Sequence, residues 1–248
     1  MLLEDKVAIV YGAGGSMGGA ITRAFADAGA SVFLAGRNVR ALETIVEEMR
    51  RAGSTTESAE VDVDNPGAVA RHAEQVVASA GRIDISCNAV GMDAVQSVPL
   101  AELSLDDFMT PIDQAMRRHF ITTTVAARQM SAQSFGVIVT LTASSAREWR
   151  HLMGGFSIAC GAIETLTRTL AAEIGKHGVR VVCIRPNFTP ETSLDVPAES
   201  IRPLVEDTLI GRLPLLAEVG AAAVFAASDR AGATTGAVLN LTCGAIVD

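Results

Sequence analysis

Short apolar, β-branched runs alternate with longer alanine-rich stretches of helical period along nearly the whole 248-residue chain. The runs at 6–11, 31–35, 58–62, 84–88, 136–142, 179–184 and 237–241 have the length and composition of strands. Between the first six lie helical patterns at 18–29, 38–52, 66–80, 104–132 and 155–177, and a sixth near 217–228 precedes the last run. Such alternation predicts an α/β chain with a seven-stranded parallel sheet and helices on both faces. The strand runs read as apolar on both sides, as a doubly covered sheet requires. No linker and no internal repeat interrupts the pattern, so residues 1–248 are expected to form one domain. Ligands on such sheets sit beyond the strand carboxyl ends. That rule gathers residues near 12, 36, 62, 88, 142 and 185 around one cleft.

The first run ends abruptly in glycines, VAIVYGAGGSMGG over 7–19, and a helical stretch follows. Strand, glycine turn and helix form the order that holds a pyrophosphate. The glycines let backbone approach the ligand, and the helix offers free N–H groups and the positive end of its dipole. A GxGxxG spacing fails at Met17, but Gly12, three residues, Ser16, one residue, Gly18 fits a related loop. Without a ligand the same stretch is a glycine-rich turn. A site for NAD usually carries an acidic residue about 20 positions after the glycines. Here the second run ends in FLAGRN, with Arg37, Asn38 and Arg40 and no carboxylate. An arginine there can pair with a 2′-phosphate, so NADP(H) is expected over NAD(H). The bland alternative is a solvated loop arginine. Asp62, beside Val63, ends the third run and can accept from an adenine amino group, or simply stand at a helix start.

Composition narrows the partners. The net charge of −8 argues against nucleic acid, whose binding needs basic groups facing phosphates. No apolar run approaches 18 residues, so no membrane-spanning helix is expected. The N-terminus, MLLEDKVAIV, lacks the features of a signal peptide. Cys87, Cys160, Cys183 and Cys243 are scattered without metal-ligand spacing, which reads as reduced thiols of a cytoplasmic protein with no metal. Five of the eight prolines fall between Pro186 and Pro214. That segment, 186–214, is either a surface excursion or a lid over the cleft.

Together these positions resemble the short-chain dehydrogenase/reductase family over essentially the whole chain. YGAGGSMG stands where the family has TG-x3-G-x-G, and CNAVG at 87–91 stands for its NNAG. IRPNF at 184–188 stands for its PG segment, and TTGAVLNLTCG resembles its closing TG-x5-DGG. The resemblance implies a single doubly wound Rossmann domain, commonly a dimer or tetramer of identical chains. It also implies hydride transfer between NAD(P)(H) and a small-molecule alcohol or carbonyl. Cofactor contacts then fall on Gly12, Ser16, Met17, Gly18, Arg37, Asn38, Asp62, Val63, Asn88, Ala89, Pro186 and Phe188.

The family's catalytic group is an Asn, a Ser, a Tyr and a Lys. Its YSASK-type stretch is matched here by FSIAC, which sets Phe156 at the Tyr and Cys160 at the Lys. The Ser falls on Ala143 and the Asn on Ala115 or Met116. Phe cannot donate a proton, and a general acid is typically worth about 10²–10⁴ in rate. Cys is a weak donor and mostly neutral at pH 7. Phe156, Cys160 and Ile163 form an apolar stripe at helical spacing, expected to be core or interface. The candidate substitutes lie in TASSAREWRHLMGG: Ser144, next to the lost Ser, and His151, which can act as an acid near neutral pH. Ser145, Arg147, Glu148, Asp93 and His119 are weaker candidates, each explicable as an ordinary polar residue, and Trp149 can pack on a substrate or anchor the loop. Three activities remain open: a noncanonical NADP(H)-dependent oxidoreductase, a non-redox enzyme of cyclase or dehydratase type, and an inactive scaffold or partner protein.

Overall fold

The computed structural model describes every residue except Arg150 and Leu194. The chain runs β1 (Val7–Tyr11), α1 (Ser16–Asp27), β2 (Ser31–Gly36), α2 (Val39–Arg51), β3 (Thr56–Glu60), α3 (Pro66–Ala80) and β4 (Ile85–Asn88). It continues through α4 (Leu105–Gln133), β5 (Gly136–Leu141), α5 (Gly155–Ile174), β6 (Val179–Pro186), α6 (Ala198–Glu206), α7 (Leu216–Ala227) and β7 (Ala237–Leu241). All seven strands are parallel, in the order β3-β2-β1-β4-β5-β6-β7. The order reverses between β1 and β4, and a switch point of this kind opens a crevice at the strand carboxyl ends.

Two apolar layers clamp the sheet. On one face, Ile21 and Phe25 of α1, Leu42, Ile45, Val46 and Met49 of α2, and Val219 and Ala223 of α7 pack on Val10, Leu34 and Val139. The α2 set recurs at i, i+3, i+4 and i+7, the stripe of a helix buried on one side only. On the other face, residues of α3, α4 and α5 cover Ile9, Phe33, Ile138 and Val181. Burying each such side chain contributes about 1.5–3 kcal/mol.

Side-chain oxygens start three of the helices. Asn38 accepts from Ala41 N–H, Asn65 from Gly67 and Ala68, and Ser104 from Asp107. Each satisfies an N–H that the first turn leaves without a partner. Pro66 at the start of α3 and Gly81 in a left-handed conformation after it follow the usual asymmetry of helix ends.

The structure corrects the sequence expectations at several points. The third strand is Thr56–Glu60, not 58–62, because its register follows β2: Val32 pairs with Thr56 and Gly36 with Glu60. The apolar signal that suggested 58–62 comes from Val61 and Val63, buried just beyond the strand. Asp62 therefore lies in the following loop rather than ending the strand. β3 is not apolar on both sides either. It is an edge strand with three of its five residues exposed. α5 ends at Ile174, and a 3₁₀ turn, Gly175–His177, finishes the predicted helix. Within the proline-rich segment 186–214 the helical period over 199–210 forms a helix, α6, that is shorter, Ala198–Glu206.

Candidate active site

The first loop is shaped by backbone contact. Gly12 has a φ of 79°, and a Cβ there would sit 2.6 Å from the Ala89 carbonyl oxygen. A Cβ on Gly18 would sit 2.1 Å from the Gly12 carbonyl oxygen. Both glycines are therefore demanded by packing between β1, α1 and the end of β4, with or without a ligand. Ser16 is exposed, and Met17 is half-buried against the α1-side core. The N-cap of α1 is Gly15, and no side chain caps the helix. Its first amides face an exposed loop, which is the arrangement that receives an anion.

Arg37 and Asn38 follow β2 and are exposed. The Asn38 side chain is engaged as the α2 cap. Nearby arginines are committed: Arg23 forks onto Glu48, and Arg51 meets Glu47. Arg37 and Arg40 make no ion pair or side-chain hydrogen bond among the described residues. The strand register adds a carboxylate that no local motif signalled, because Glu60 stands opposite Gly36 across the β2–β3 pair.

Asp62 is exposed and accepts from Asp64 N–H, while Val63 is buried. Asp64 takes a forked pair of bonds from Arg118 of α4, at 3.0 Å and 3.2 Å. The same guanidinium donates to the Gly91 carbonyl at 2.8 Å and so pins the loop after β4. Asn88 is buried. It donates to Thr122 at 2.7 Å and accepts from Val90 N–H, so its side chain joins β4 to α4. Ala89 is half-buried beside it, with its N–H on the Tyr11 carbonyl.

Across the cleft the α5 stripe is largely internal. Cys160 and Ile163 are fully buried, with Ala115 of α4 beside Ile163, whereas Phe156 in the first turn is half-buried. Burial pushes the Cys160 thiol up to about 11, so it stays neutral. Its carbonyl accepts from Thr142. His119 is buried on α4 with Nδ1 on the Ala115 carbonyl, and burial lowers it to about 4. It does not titrate near neutrality.

The loop after β5 gathers polar groups. Ala143 precedes a 3₁₀ turn, Ser144–Ala146. Ser144 is buried, with Oγ 3.0 Å from Glu148 Oε2 and 3.2 Å from Asn187 Oδ1. The hydroxyl owns one proton and faces two acceptors, so it donates to only one of them at a time. Asn187, between buried Pro186 and half-buried Phe188, also takes the Phe188 N–H at 2.8 Å. Its Nδ2 is buried with no hydrogen-bond partner among the described residues. His151 does not hydrogen-bond Ser144 among the described residues. Its Nε2 instead lies 3.4 Å from both Glu148 Oε1 and Asp207 Oδ2. Trp149 is 84 % exposed. Asp93 is paired to Gln114 of α4 through two hydrogen bonds.

Sequence reasoning passed over Asn187, which lay in plain view within IRPNF. It also passed over Asp207, which only the folding of α6 brings to His151. A third omission is buried Arg185, held 3.2 Å from Glu164 of α5 and paired with the Asp248 side chain.

The model of a family described as enoyl-(acyl carrier protein) reductase matches residues 12–245. The chain belongs to the short-chain dehydrogenase/reductase family. A curated relative, an uncharacterised oxidoreductase of Mycobacterium tuberculosis, is 32 % identical over 98 % of this chain and 92 % of its own length. A short-chain type dehydrogenase/reductase from Mycobacterium ulcerans superposes with a TM-score of 0.92 at 25 % identity, covering 99 % of this chain and 91 % of its own. A 7α-hydroxysteroid dehydrogenase in complex with NADH and 7-oxo glycochenodeoxycholic acid superposes at 0.88, also at 25 % identity, covering 99 % and 96 %. These relatives are oxidoreductases built on the same seven-stranded Rossmann-like sheet. No helix of the described residues is long and apolar enough to cross a membrane.

Proposed function

We propose that this chain is an NADP(H)-dependent oxidoreductase of the family that acts on a small molecule without the usual tyrosine–lysine pair. One observation carries this reading. At the carboxyl ends of the strands, the uncapped start of α1 and Arg37, unpaired among the described residues, remain suited to a dinucleotide, while α5 sets Phe156 and a neutral, buried Cys160 one turn apart.

The residues present fit a nicotinamide dinucleotide. The amides of Ser16, Met17 and Gly18, beside Gly12, would take the pyrophosphate, and Arg37 with the Asn38 backbone the 2′-phosphate. Asp62 and Val63 would flank the adenine, and Asn88 and Ala89 the adjoining ribose. Pro186, Asn187 and Phe188 would border the nicotinamide, where the orphaned, buried Asn187 Nδ2 has a donor to give. When bound, the cofactor supplies or takes the hydride.

The chain's own residues then do the remaining work. Ser144, held by Glu148 and Asn187, presents an oriented hydroxyl to the substrate. His151 joins the group through Glu148. Loss of the tyrosine acid costs about 10²–10⁴ in rate on a simple ketone. The fitting substrates therefore need little acid help, such as activated alkenes or iminium ions. The segment 186–214 acts as a lid, since α6 ends at Asp207 against His151. The exposed Phe120 on α4 suits association of identical chains.

Calorimetric titration with NADPH and NADH tests the reading. Saturable NADPH binding, tighter than NADH, is expected. No binding of either would end it and favour the scaffold alternative. With binding in hand, turnover of an enone or imine but not of a simple ketone is expected. Ordinary ketone turnover would overturn the assignment of Phe156 and Cys160.

A further inference from the structure

We propose that Glu148, His151 and Asp207 form a binding site for one divalent transition-metal ion that fastens the α6 segment to the loop after β5. The site is separate from the dinucleotide contacts, and its donor geometry stands whether or not a nicotinamide cofactor binds.

Three observations meet there. The first is distance. His151 Nε2 is 3.4 Å from Glu148 Oε1 and 3.4 Å from Asp207 Oδ2, and the three ligand atoms all lie within 4.8 Å of one another. A tetrahedral ion with ligand bonds of about 2.0–2.1 Å sets its donors about 3.3 Å apart. Two of the three edges already have that length.

The second is direction. Both carboxylates are within reach of Nε2, and yet that buried nitrogen has no hydrogen-bond partner among the described residues. At 3.4 Å neither oxygen makes a hydrogen bond with that nitrogen. A hydrogen bond weakens steeply off line. An ion seated between three donors instead requires each neighbour to lie to the side of the nitrogen's axis.

The third is chemistry. One imidazole and two carboxylates are the donors that zinc accepts in sites which leave a position open. Glu148 reaches His151 with Oε1 and Ser144 with Oε2, and three such donors would leave a fourth position of a tetrahedral ion open. A water or a substrate carbonyl oxygen would occupy it, and the ion would polarise that oxygen. Lewis-acid polarisation is what a cleft without the tyrosine lacks. Because Glu148 and His151 belong to the loop after β5 and Asp207 closes α6, loading the ion also orders the lid.

The test uses the full chain, stripped with EDTA and desalted, and titrated with ZnCl₂ by calorimetry at pH 7. One saturable site per chain is expected. His151→Ala and Asp207→Asn should each weaken it at least about tenfold, the usual penalty for a lost ligand interaction. Thermal melts check that both variants fold, and the isosteric Asp207→Asn keeps the test alive should His151→Ala unfold. Co²⁺ in place of Zn²⁺ should give the visible bands of a four-coordinate ion without thiolate charge transfer, which excludes Cys243 as the ligand. No saturable binding, or binding that neither variant changes, would overturn the proposal. NADPH titration of the EDTA-treated chain is a separate readout, so failure of the metal site and failure of cofactor binding are told apart.

Discussion

Helices α1 and α5 both begin at the cleft, both behind an uncapped glycine, and they have been put to different uses. At α1 the first residues, Gly14 to Ser16, are exposed. At α5 the entrance is shut. Gly155 is buried, and a Cβ there would lie 1.9 Å from the Phe108 carbonyl oxygen of α4. One helix start is kept free to meet an anion. The other is pressed into a neighbouring helix and carries half-buried Phe156 and buried Cys160 in its first two turns. Within one fold, the surface proposed to hold a dinucleotide and the surface proposed to perform chemistry are thus separable, because different backbone contacts enforce them.

The largest expected effects test whether packing alone demands the glycines. Gly18→Ala and Gly155→Ala should each destabilise the chain by about 3 kcal/mol, the upper range for forcing atoms into a filled space. Gly15→Ala, whose Cβ would meet nothing closer than 3.5 Å, should stay within about 0.5 kcal/mol. Denaturant unfolding without nucleotide measures all three. A Gly18→Ala chain of normal stability would mean that this glycine serves the ligand and not the fold.

A slightly smaller effect separates the two helical layers by pH. Burial lowers His72 on α3 and His119 on α4 from 6.5 to about 4. The unfolded chain binds a proton at each between those values, and the folded chain does not. Stability from these groups is complete above pH 6.5 and is lost as pH falls toward 4, by up to about 3 kcal/mol per histidine. Among the described residues the α1–α2–α7 layer holds no buried histidine, so the part of the lability that sets in from pH 6.5 belongs to the α3–α4–α5 side. His72→Gln should flatten the profile by about half. An unchanged slope between pH 6.5 and 4 would show that the lability arises elsewhere.

The layered sheet was legible because period and strand length are local properties. Val7–Tyr11 and Ala237–Leu241 could be read almost to the residue. β3 was misplaced by two positions because its pairing with Val32–Gly36, not its own composition, sets its limits. The glycine loop and Arg37 were legible as residue types at a spacing. Glu60 opposite Gly36 was not, since adjacency across a sheet leaves no trace in a local motif. In the same way Ser144 and His151 stood out singly, but their partners Asn187 and Asp207 come from β6 and from the end of α6. Nothing local in the strand that carries Arg185 or in the alanine-rich helix that carries Glu164 signals a pair, and only the fold reveals them as one.

Cofactor choice is the next test of the contrast. Arg37→Ala removes a charge-assisted contact, worth about 1.5–3 kcal/mol. NADPH should therefore bind roughly 10- to 100-fold more weakly, with NADH changed by less than about twofold. Calorimetry on both nucleotides reads this directly. Equal weakening would mean that Arg37 shapes the loop instead of pairing with a 2′-phosphate, and Glu60 would then be the residue to examine for ribose contacts.

The smallest expected change bears most directly on the α5 side. On the proposed reading, Phe156→Tyr puts a phenol at the family's tyrosine position, which is half-buried here. The phenol alone is a poor acid–base group, because its ordinary pKa is about 10 and catalysis favours a value near the working pH. In the family a lysine one turn on lowers it. Here that place holds Cys160, whose thiol burial pushes up to about 11 and leaves without charge. Buried Arg185 is already committed to Glu164 and Asp248. Ketone reduction by Phe156→Tyr should thus rise by less than about threefold, far short of the 10²–10⁴ of a working acid. Placing a lysine at 160 as well would bury an ammonium in a fully enclosed site, so Cys160→Lys should cost stability before it yields rate. A gain of a hundredfold or more from Phe156→Tyr alone, read as NADPH consumption with a simple ketone, would show that another cation already serves the phenol. The α5 side would then be one substitution from the family's chemistry, and the separation drawn between the two helix starts would be shallower than their packing suggests.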